Sequence, residues 1–211
     1  MNPSAHRETV LTAWVRWGAV LWLAIWIPAY WRTWGFSNFV HLCDIAVILT
    51  CVGLWSSSAL LLSSQAVSSL VVDLAWSLDV AWRWFAGHHL IGGTEYLFDP
   101  QYPLWVRLLS LFHAAMPFIL LAALRRTGYD PAGFALQCAI AAAALLLSRI
   151  LDPIKNYNFA FRDPILHRAF GPAPVHLAVI FLALLLIYWP THEILKRLFR
   201  PAPEPREPQL P

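Results

Sequence analysis

Three aspartates lie inside stretches of the chain that are otherwise apolar enough to enter a lipid bilayer, namely Asp44, Asp73 and Asp79. An ionised side chain at membrane depth costs at least about 2.5 kcal/mol, so such a residue normally faces the interior of a helix bundle and finds a partner there. The same stretches carry a thiol and two imidazoles: Cys43, His41 and His113. Because thiol, imidazole and carboxylate groups together support nucleophilic and acid–base chemistry, these residues are the candidates for a functional site.

The composition assigns the chain to the membrane proteins. Of its 211 residues, 59% are hydrophobic and only 13% are charged, whereas a soluble domain has about 25% charged residues. Its expected partners are membrane lipids, and the net charge of +3 gives no reason to expect a nucleic acid. Several stretches approach the ~20 apolar residues that cross a hydrocarbon core. We therefore predict an all-α polytopic membrane helix bundle with about six transmembrane helices, near residues 13–31, 38–56, 64–86, 104–124, 134–151 and 174–190.

The predicted spans form one domain, residues 1–200, followed by a Pro-rich and charged tail, residues 201–211, that is predicted to be disordered. An even number of spans places both termini on one side of the membrane. The positive residues on that side are Arg7, Arg125, Arg126, Lys196, Arg197, Arg200 and Arg206, against Arg32, Lys155, Arg162 and Arg168 on the other. This bias predicts a multi-pass protein of the cell membrane with both termini in the cytoplasm.

The polar residues of three consecutive spans each share one face of their helix. These faces consist of His41 and Asp44 in the second span, Gln65, Ser69 and Asp73 in the third, and Arg107, Ser110 and His113 in the fourth. Cys43 lies about 100° from Asp44, on the flank of the same face. Because lipid rejects polar faces, we expect the three to converge, closed at the top by the long loops 87–103 and 152–173.

Other polar residues have simple structural interpretations. Asp79 and Arg83 are spaced i, i+4 in the favourable acid-to-base order and are predicted to form a structural ion pair. His88 and His89 follow in the loop and are predicted to be solvated. Cys51 and Cys138 are interpreted as small apolar packing residues.

A series of short motifs resembles the YwaF-like family of bacterial integral membrane proteins. The motifs are HLCDIA at 41–46, FDPQYP at 98–103, a histidine in the next helix (His113), NYNFAF at 156–161 and GPAP at 171–174. The likeness covers most of residues 38–190. The vertebrate relatives of this family look like lipid acyltransferases with a working Cys and His, and more distant kin hydrolyse lipid esters. The loop motif here reads Asn-Tyr-Asn-Phe, where the family more usually has Asn-Tyr-Met.

Carried over by position, the resemblance implies that Cys43 is the nucleophile and His113 the base of a lipid acyltransferase or lipid-ester hydrolase. A carboxylate beside a thiol opposes thiolate formation, so Asp44 is predicted to orient the histidine instead. The remaining polar residues are predicted to bind the substrate: His41, Asp73, Arg107, Asn156 and Asn158. Neither a metal nor another cofactor is expected.

Three other functions stay open at this point. A metal-dependent intramembrane hydrolase would draw on His41, Asp44, Asp73 and His113, which are donors that Zn²⁺ accepts, although no His-Glu-x-x-His spacing is present. A non-enzymatic small-molecule or proton carrier would use aspartate and histidine as a proton relay. A purely structural membrane component is the third.

Overall fold

The computed structural model describes the backbone of residues 3–201 and the side chains of residues 13–201. The helices are α1 (Pro3–Trp34), α2 (Leu42–Ser56), α3 (Ala59–Ala86), α4 (Leu104–Leu108), α5 (Phe112–Thr127), α6 (Ala132–Arg149) and α7 (Ala173–Leu198). A 3-10 turn at Leu109–Leu111 joins α4 to α5, so the two continue as one rod. Within the described part of the chain there is no strand, and the predicted all-α class is confirmed.

Four of these helical segments are long and apolar enough to cross a membrane: Ala59–Ala86, Leu104–Thr127, Ala132–Arg149 and Ala173–Leu198. The chain is therefore a multi-pass membrane protein. Helix α2 is apolar but has only 15 residues, which extend ~22 Å and do not reach across a hydrocarbon core of ~30 Å. The predicted second span, residues 38–56, thus forms a helix that is too short to cross a membrane alone.

The connectivity alternates between two ends of the bundle. We call the end that holds Trp34, Ala86, Leu104, Arg149 and Ala173 the loop end, because both long loops lie there. At the opposite end, the backbone N–H of Tyr129 donates to the carbonyl of Arg200 at 2.9 Å. The α5–α6 connection and the C-terminus of α7 therefore lie at the same end, as predicted. The cytoplasmic orientation of that end stays a prediction, and residues 202–211 of the predicted disordered tail lie outside the described residues.

Helix α3 is the centre of the bundle and packs against α2, α5, α6 and α7. Its first turns are polar yet buried, with Ser63, Ser64 and Gln65 at most 1% exposed. These small side chains let α6 approach closely, and Gly133 at the start of α6 lies directly against them. A Cβ atom at Gly133 would lie 2.7 Å from Ser63 Cβ and 2.8 Å from the Ser64 backbone nitrogen.

The replacement Gly133→Val is expected to lower the free energy of unfolding by about 1–3 kcal/mol, because the new side chain forces α6 away from the α3 backbone. Denaturation of the purified protein in mixed micelles measures this loss. The matched control is Gly18→Val in α1, where an added Cβ meets nothing within 4 Å. Equal stability of the two variants would contradict the close α3–α6 packing.

The 87–103 loop is organised by Asp79, near the end of α3. One carboxylate oxygen of Asp79 accepts from the backbone N–H groups of Leu90 at 2.8 Å, Ile91 at 2.6 Å and Gly92 at 3.1 Å. The other pairs with His89 Nδ1 at 2.9 Å and accepts from the Thr94 hydroxyl. Asp79 thus holds the start of the loop against α3.

Two sequence-based interpretations are therefore wrong. The predicted Asp79–Arg83 ion pair is absent from the described ion pairs, and the Arg83 guanidinium lies 5.6 Å from the centre of the Phe98 ring. His89 is not simply solvated, because its imidazole is bonded to Asp79. The loop amides compete successfully for the carboxylate because several N–H donors together satisfy more of its lone pairs than one guanidinium does.

The second long loop is held by side chains that bond to its backbone. Asn156 Oδ1 accepts from the N–H groups of Phe161 and Arg162 at 2.9 and 3.0 Å. Asp163 accepts from the N–H groups of residues 165, 166 and 168; burial opposes the charge, but these donors hold the pKa of Asp163 below its usual range. His176 Nε2 lies 2.9 Å from the carbonyl of Phe159. The loop is therefore an ordered cap on the bundle.

Candidate functional site

The start of α2 is fixed by the chain that precedes it and by the second loop. Gly35 has φ 86°, in the left-handed region that glycine tolerates, so the chain reverses after α1 and enters a 3-10 turn at Phe36–Val40. Asn158 then joins the loop to this turn: its Oδ1 accepts from Leu42 N at 2.9 Å and its Nδ2 donates to Val40 O at 2.8 Å. Asn158 thereby satisfies one of the free N–H groups at the start of α2.

Cys43 and Asp44 lie in the first turn of α2. Asp44 is 2% exposed, and its Oδ2 accepts from Asn38 Nδ2 at 2.7 Å. The Cys43 Sγ lies 3.9 Å from Asp44 Oδ1. The positive end of a helix dipole favours negative charge in this turn, whether on a carboxylate or on a thiolate. Asp44 and Cys43 thus lie side by side in the same turn of α2.

Asp73 and His113 form a buried pair between α3 and α5. Their Oδ1 and Nδ1 atoms lie 2.7 Å apart, and the residues are 2% and 4% exposed. The imidazole lies between two aromatic rings, with centroid distances of 4.6 Å to Trp76 and 4.2 Å to Phe112, both in stacked geometry. The ring is therefore locked in orientation. Because Asp73 occupies Nδ1, any proton transfer to a reacting group has to use Nε2.

This pair corrects the role that the sequence suggested for Asp44. The carboxylate that orients His113 belongs to Asp73, and Asp44 is bonded to Asn38 instead. Sequence spacing favoured Asp44 because it is the neighbour of Cys43, but Asp73 reaches His113 because α3 and α5 are in extensive contact. Asp73, predicted to bind substrate, is thereby engaged on one oxygen by the histidine.

The polar residues of α2 and of the α3–α5 pair belong to neighbouring helices. Cys43 Sγ lies 3.9 Å from Asp44 Oδ1, and Asp73 and His113 form their pair on the two helices against which α2 packs. We call Cys43, Asp44, Asp73, His113 and His41 the polar cluster. Asp44, Asp73 and His113 are all buried and therefore face inward. In contrast, Gln65 of the third predicted face lies 3.5 Å from Gln137 of α6, and Arg107 of the fourth bonds to the first loop. The predicted convergence is thus seen only for part of the three faces.

The other predicted substrate-binding residues hold the loops at the mouth of the bundle. Arg107 donates from a terminal guanidinium nitrogen to the carbonyl of Leu97 at 2.8 Å, while Asn156 and Asn158 make the bonds described above. A cleft of about 460 Å³ opens between the two loops. Its lining includes His89, Glu95, Asn156, Asp163 and His167. Of the predicted residues, Asn156 is the one that lines this cleft, and substrate binding by the three residues stays a prediction.

Several residues next to the polar cluster were not identified from the sequence. Asn38 bonds to Asp44, Trp76 stacks on His113, and Tyr96 reaches from the first loop to within electrostatic range of Cys43 and Asp44. Burial raises the pKa of Tyr96, so its hydroxyl is neutral at physiological pH. The Tyr30 and Ser110 hydroxyl groups form a further buried hydrogen bond of 2.6 Å. Trp76 was detectable in principle, because it lies three residues after Asp73 and hence on the same side of α3.

Metal ligation requires several donors close together. Among the side chains of residues 13–201 there is no group of three or more His, Cys, Asp or Glu arranged to hold a metal ion. The four residues considered for Zn²⁺ are divided between the Asp73–His113 pair, the Asn38–Asp44 bond and His41, whose ring packs 5.1 Å from that of Tyr157. The geometry of these residues therefore offers no donor set for the metal-dependent alternative.

Comparison with known proteins found no match: no protein-family model matches the chain, and no curated protein or solved structure is significantly similar to it. The functional interpretation therefore depends on the geometry of the polar cluster and on the motif resemblance.

Proposed function

We propose that this multi-pass membrane protein is an enzyme that moves the acyl group of a membrane lipid ester, with Cys43 as nucleophile and His113 as base. The observation that supports it is the buried bond of 2.7 Å between Asp73 and His113, on two helices that both pack against α2, the helix that carries Cys43. A carboxylate, an imidazole and a nucleophile form the triad arrangement of acyl-transfer enzymes on unrelated folds. The resemblance of HLCDIA and of the histidine at 113 to YwaF-like proteins assigns the same two residues.

Asp73 is the positioning residue in this proposal. Its carboxylate fixes His113 in the tautomer that carries hydrogen on Nδ1 and leaves the Nε2 lone pair free to accept a proton. It also stabilises the imidazolium that forms during the reaction. The stacked rings of Trp76 and Phe112 prevent the imidazole from rotating away from this orientation.

The charges around Cys43 determine how the thiol is activated. The α2 N-terminus favours a thiolate, but Asp44 at 3.9 Å and Asp73 both oppose a standing negative charge on sulfur. A resting thiolate–imidazolium pair is therefore disfavoured. We infer that His113 Nε2 removes the thiol proton as Sγ attacks the ester, which is general-base catalysis rather than attack by a preformed thiolate.

The reaction then proceeds in two halves. In the first, Sγ forms a bond to the ester carbonyl carbon, the thiol proton passes to His113, and the ester C–O bond breaks. The leaving alkoxide takes the proton from His113 and departs as an alcohol. In the second, a hydroxyl of water or of another lipid attacks the thioester, and its proton returns through His113 to the Cys43 sulfur. Water as acceptor gives hydrolysis, and a lipid hydroxyl gives acyl transfer.

Alkylation of a protein with a single thiol tests the proposal. The variant Cys51→Ala/Cys138→Ala leaves Cys43 as the remaining cysteine of the 3 in the chain. In liposomes of phosphatidylcholine with a labelled sn-2 chain and added lysophospholipid, this variant is expected to release labelled fatty acid or transfer the label. Treatment with N-ethylmaleimide is expected to stop the reaction.

The intact mass of the treated protein verifies that Cys43 has been modified. Full activity of a protein whose Cys43 is completely alkylated contradicts the thiol mechanism. Absence of both release and transfer in the untreated protein contradicts the proposed function as a whole.

A further inference from the structure

A second feature next to the polar cluster is an apolar groove between α3 and the α4–α5 rod. It has a volume of about 330 Å³ and is lined by Trp76, Ala81, Trp84 and Phe85 of α3, and by Leu111 and Ala114 opposite. Both walls belong to helices that are long and apolar enough to span the membrane. The hydroxyl of Ser77, also in the lining, donates to the Asp73 carbonyl at 2.8 Å and so presents no free polar group.

The groove extends along α3, one of the helices long and apolar enough to span a membrane. From Trp76 to Phe85 its α3 wall covers ~14 Å of helix. Trp84 and Phe85 are 76% and 87% exposed near the loop end of α3, where aromatic side chains lie at the head-group layer. Trp76 lies at the depth of the Asp73–His113 pair. An acyl chain of a phospholipid in the loop-end leaflet has this direction and covers this range of depth.

Trp76 separates the groove from the catalytic pair. Its indole lines the groove and also stacks on the His113 imidazole, with ring centroids 4.6 Å apart. The indole N–H is buried beside the Tyr96 side chain and makes no hydrogen bond of ordinary geometry to the described residues. A buried donor without such a bond in a candidate site indicates a missing acceptor, and a lipid ester carbonyl is one. An apolar groove and a buried donor thus meet at one side chain.

We propose that this groove binds the acyl chain of a glycerophospholipid that enters sideways from the bilayer, with Trp76 as the wall between the chain and His113. The proposal rests on the proposed function and specifies its substrate as a membrane-resident phospholipid. Because bilayer lipid is itself apolar, the groove gains affinity from close packing rather than from removal of apolar surface from water. Its preference over the open bilayer is therefore modest.

Photocrosslinking of the full-length protein tests occupancy of the groove. The protein is placed in liposomes of phosphatidylcholine that carries a diazirine at the end of its sn-2 chain, irradiated, and digested for mass spectrometry. The number of adducts per residue is expected to be about threefold higher at residues 76–85 and 111–114 than at Leu182 and Leu186. The last two residues are exposed on α7 and serve as the reference for contact with bulk lipid. The His113→Ala variant is labelled in parallel, so occupancy is measured without turnover.

Filling the groove provides the matched comparison. Ala81→Trp and Ala114→Trp place a large ring in it at positions that are exposed, and each is expected to reduce the excess of groove adducts to the level on α7. Leu186→Trp on α7 is expected to leave the excess unchanged. Equal labelling of groove and α7, or an excess that survives both filling variants, overturns the proposal. A second outcome is an excess of groove adducts together with activity that persists after Cys43 and His113 are replaced. This outcome supports lipid binding in the groove and contradicts only the proposed Cys43–His113 mechanism.

Discussion

Replacing Cys43 with alanine is expected to remove acyl release and transfer completely, because no acyl-enzyme bond can form without the sulfur. His113→Ala is expected to lower the rate by about 10²–10⁴-fold, the usual contribution of a positioned general base. Both rates are measured with the labelled phosphatidylcholine assay in liposomes, and circular dichroism verifies that each variant is folded.

Cys51→Ala and Cys138→Ala are the matched controls and are expected to retain full rates. Cys51 is buried and Cys138 partly buried, and both contribute packing. A folded Cys43→Ala protein with undiminished activity would contradict the thiol mechanism. The Asp73–His113 pair would then be better explained as a proton relay, which proton flux measurements in sealed liposomes detect.

Asp73→Asn is expected to lower kcat by on the order of 10²–10⁴-fold, by no more than His113→Ala does, and to leave KM nearly unchanged. An amide in place of the carboxylate cannot hold His113 in the required tautomer or stabilise its protonated form. An effect confined to kcat identifies a group that acts in the transition state, whereas a simple loss of folded protein reduces the active fraction and leaves kcat per active molecule unchanged.

The control for this prediction is Asp44→Asn. An amide oxygen at position 44 still accepts from Asn38 Nδ2, which lies 2.7 Å from the carboxylate. The substitution also removes a negative charge beside Cys43 Sγ. The thiolate that develops on this sulfur during attack is then repelled less. The rate of Asp44→Asn is therefore expected to stay within about tenfold of the native rate. A larger loss for Asp44→Asn than for Asp73→Asn would return the orienting role to Asp44.

The helices could be predicted from the sequence to within a few residues because lipid imposes a simple rule of apolar length. Four boundaries nevertheless differ by four residues or more, namely the starts of α1, α2 and α3 and the end of α7. The errors at α2 and α3 have clear physical causes. Helix α3 begins at Ala59 rather than near residue 64, because Ser63, Ser64 and Gln65 look like loop residues but are buried against α6. Helix α2 begins at Leu42 rather than residue 38, because the 3-10 turn at Phe36–Val40 precedes it.

The membership of the polar cluster was predictable, but its pairing was not. Helical periodicity places Asp73 and His113 on inward faces of their helices, and both are buried as expected. The choice of Asp73 over Asp44 as the partner of His113 depends on the relative depth and rotation of three helices, which no local spacing encodes. The same holds for Asp79, whose backbone partners at 90–92 lie in a loop that periodicity does not describe.

The most direct test of the central claim is to look for the acyl-enzyme itself. Full-length protein in liposomes of phosphatidylcholine with a labelled sn-2 chain is quenched in acid, digested and examined by mass spectrometry. We predict an acyl adduct on the peptide that contains Cys43, released by neutral hydroxylamine as a thioester is, and accumulated when acceptor lipid is omitted. An acyl adduct confined to another residue, or turnover without any adduct on Cys43 under these conditions, would contradict the account.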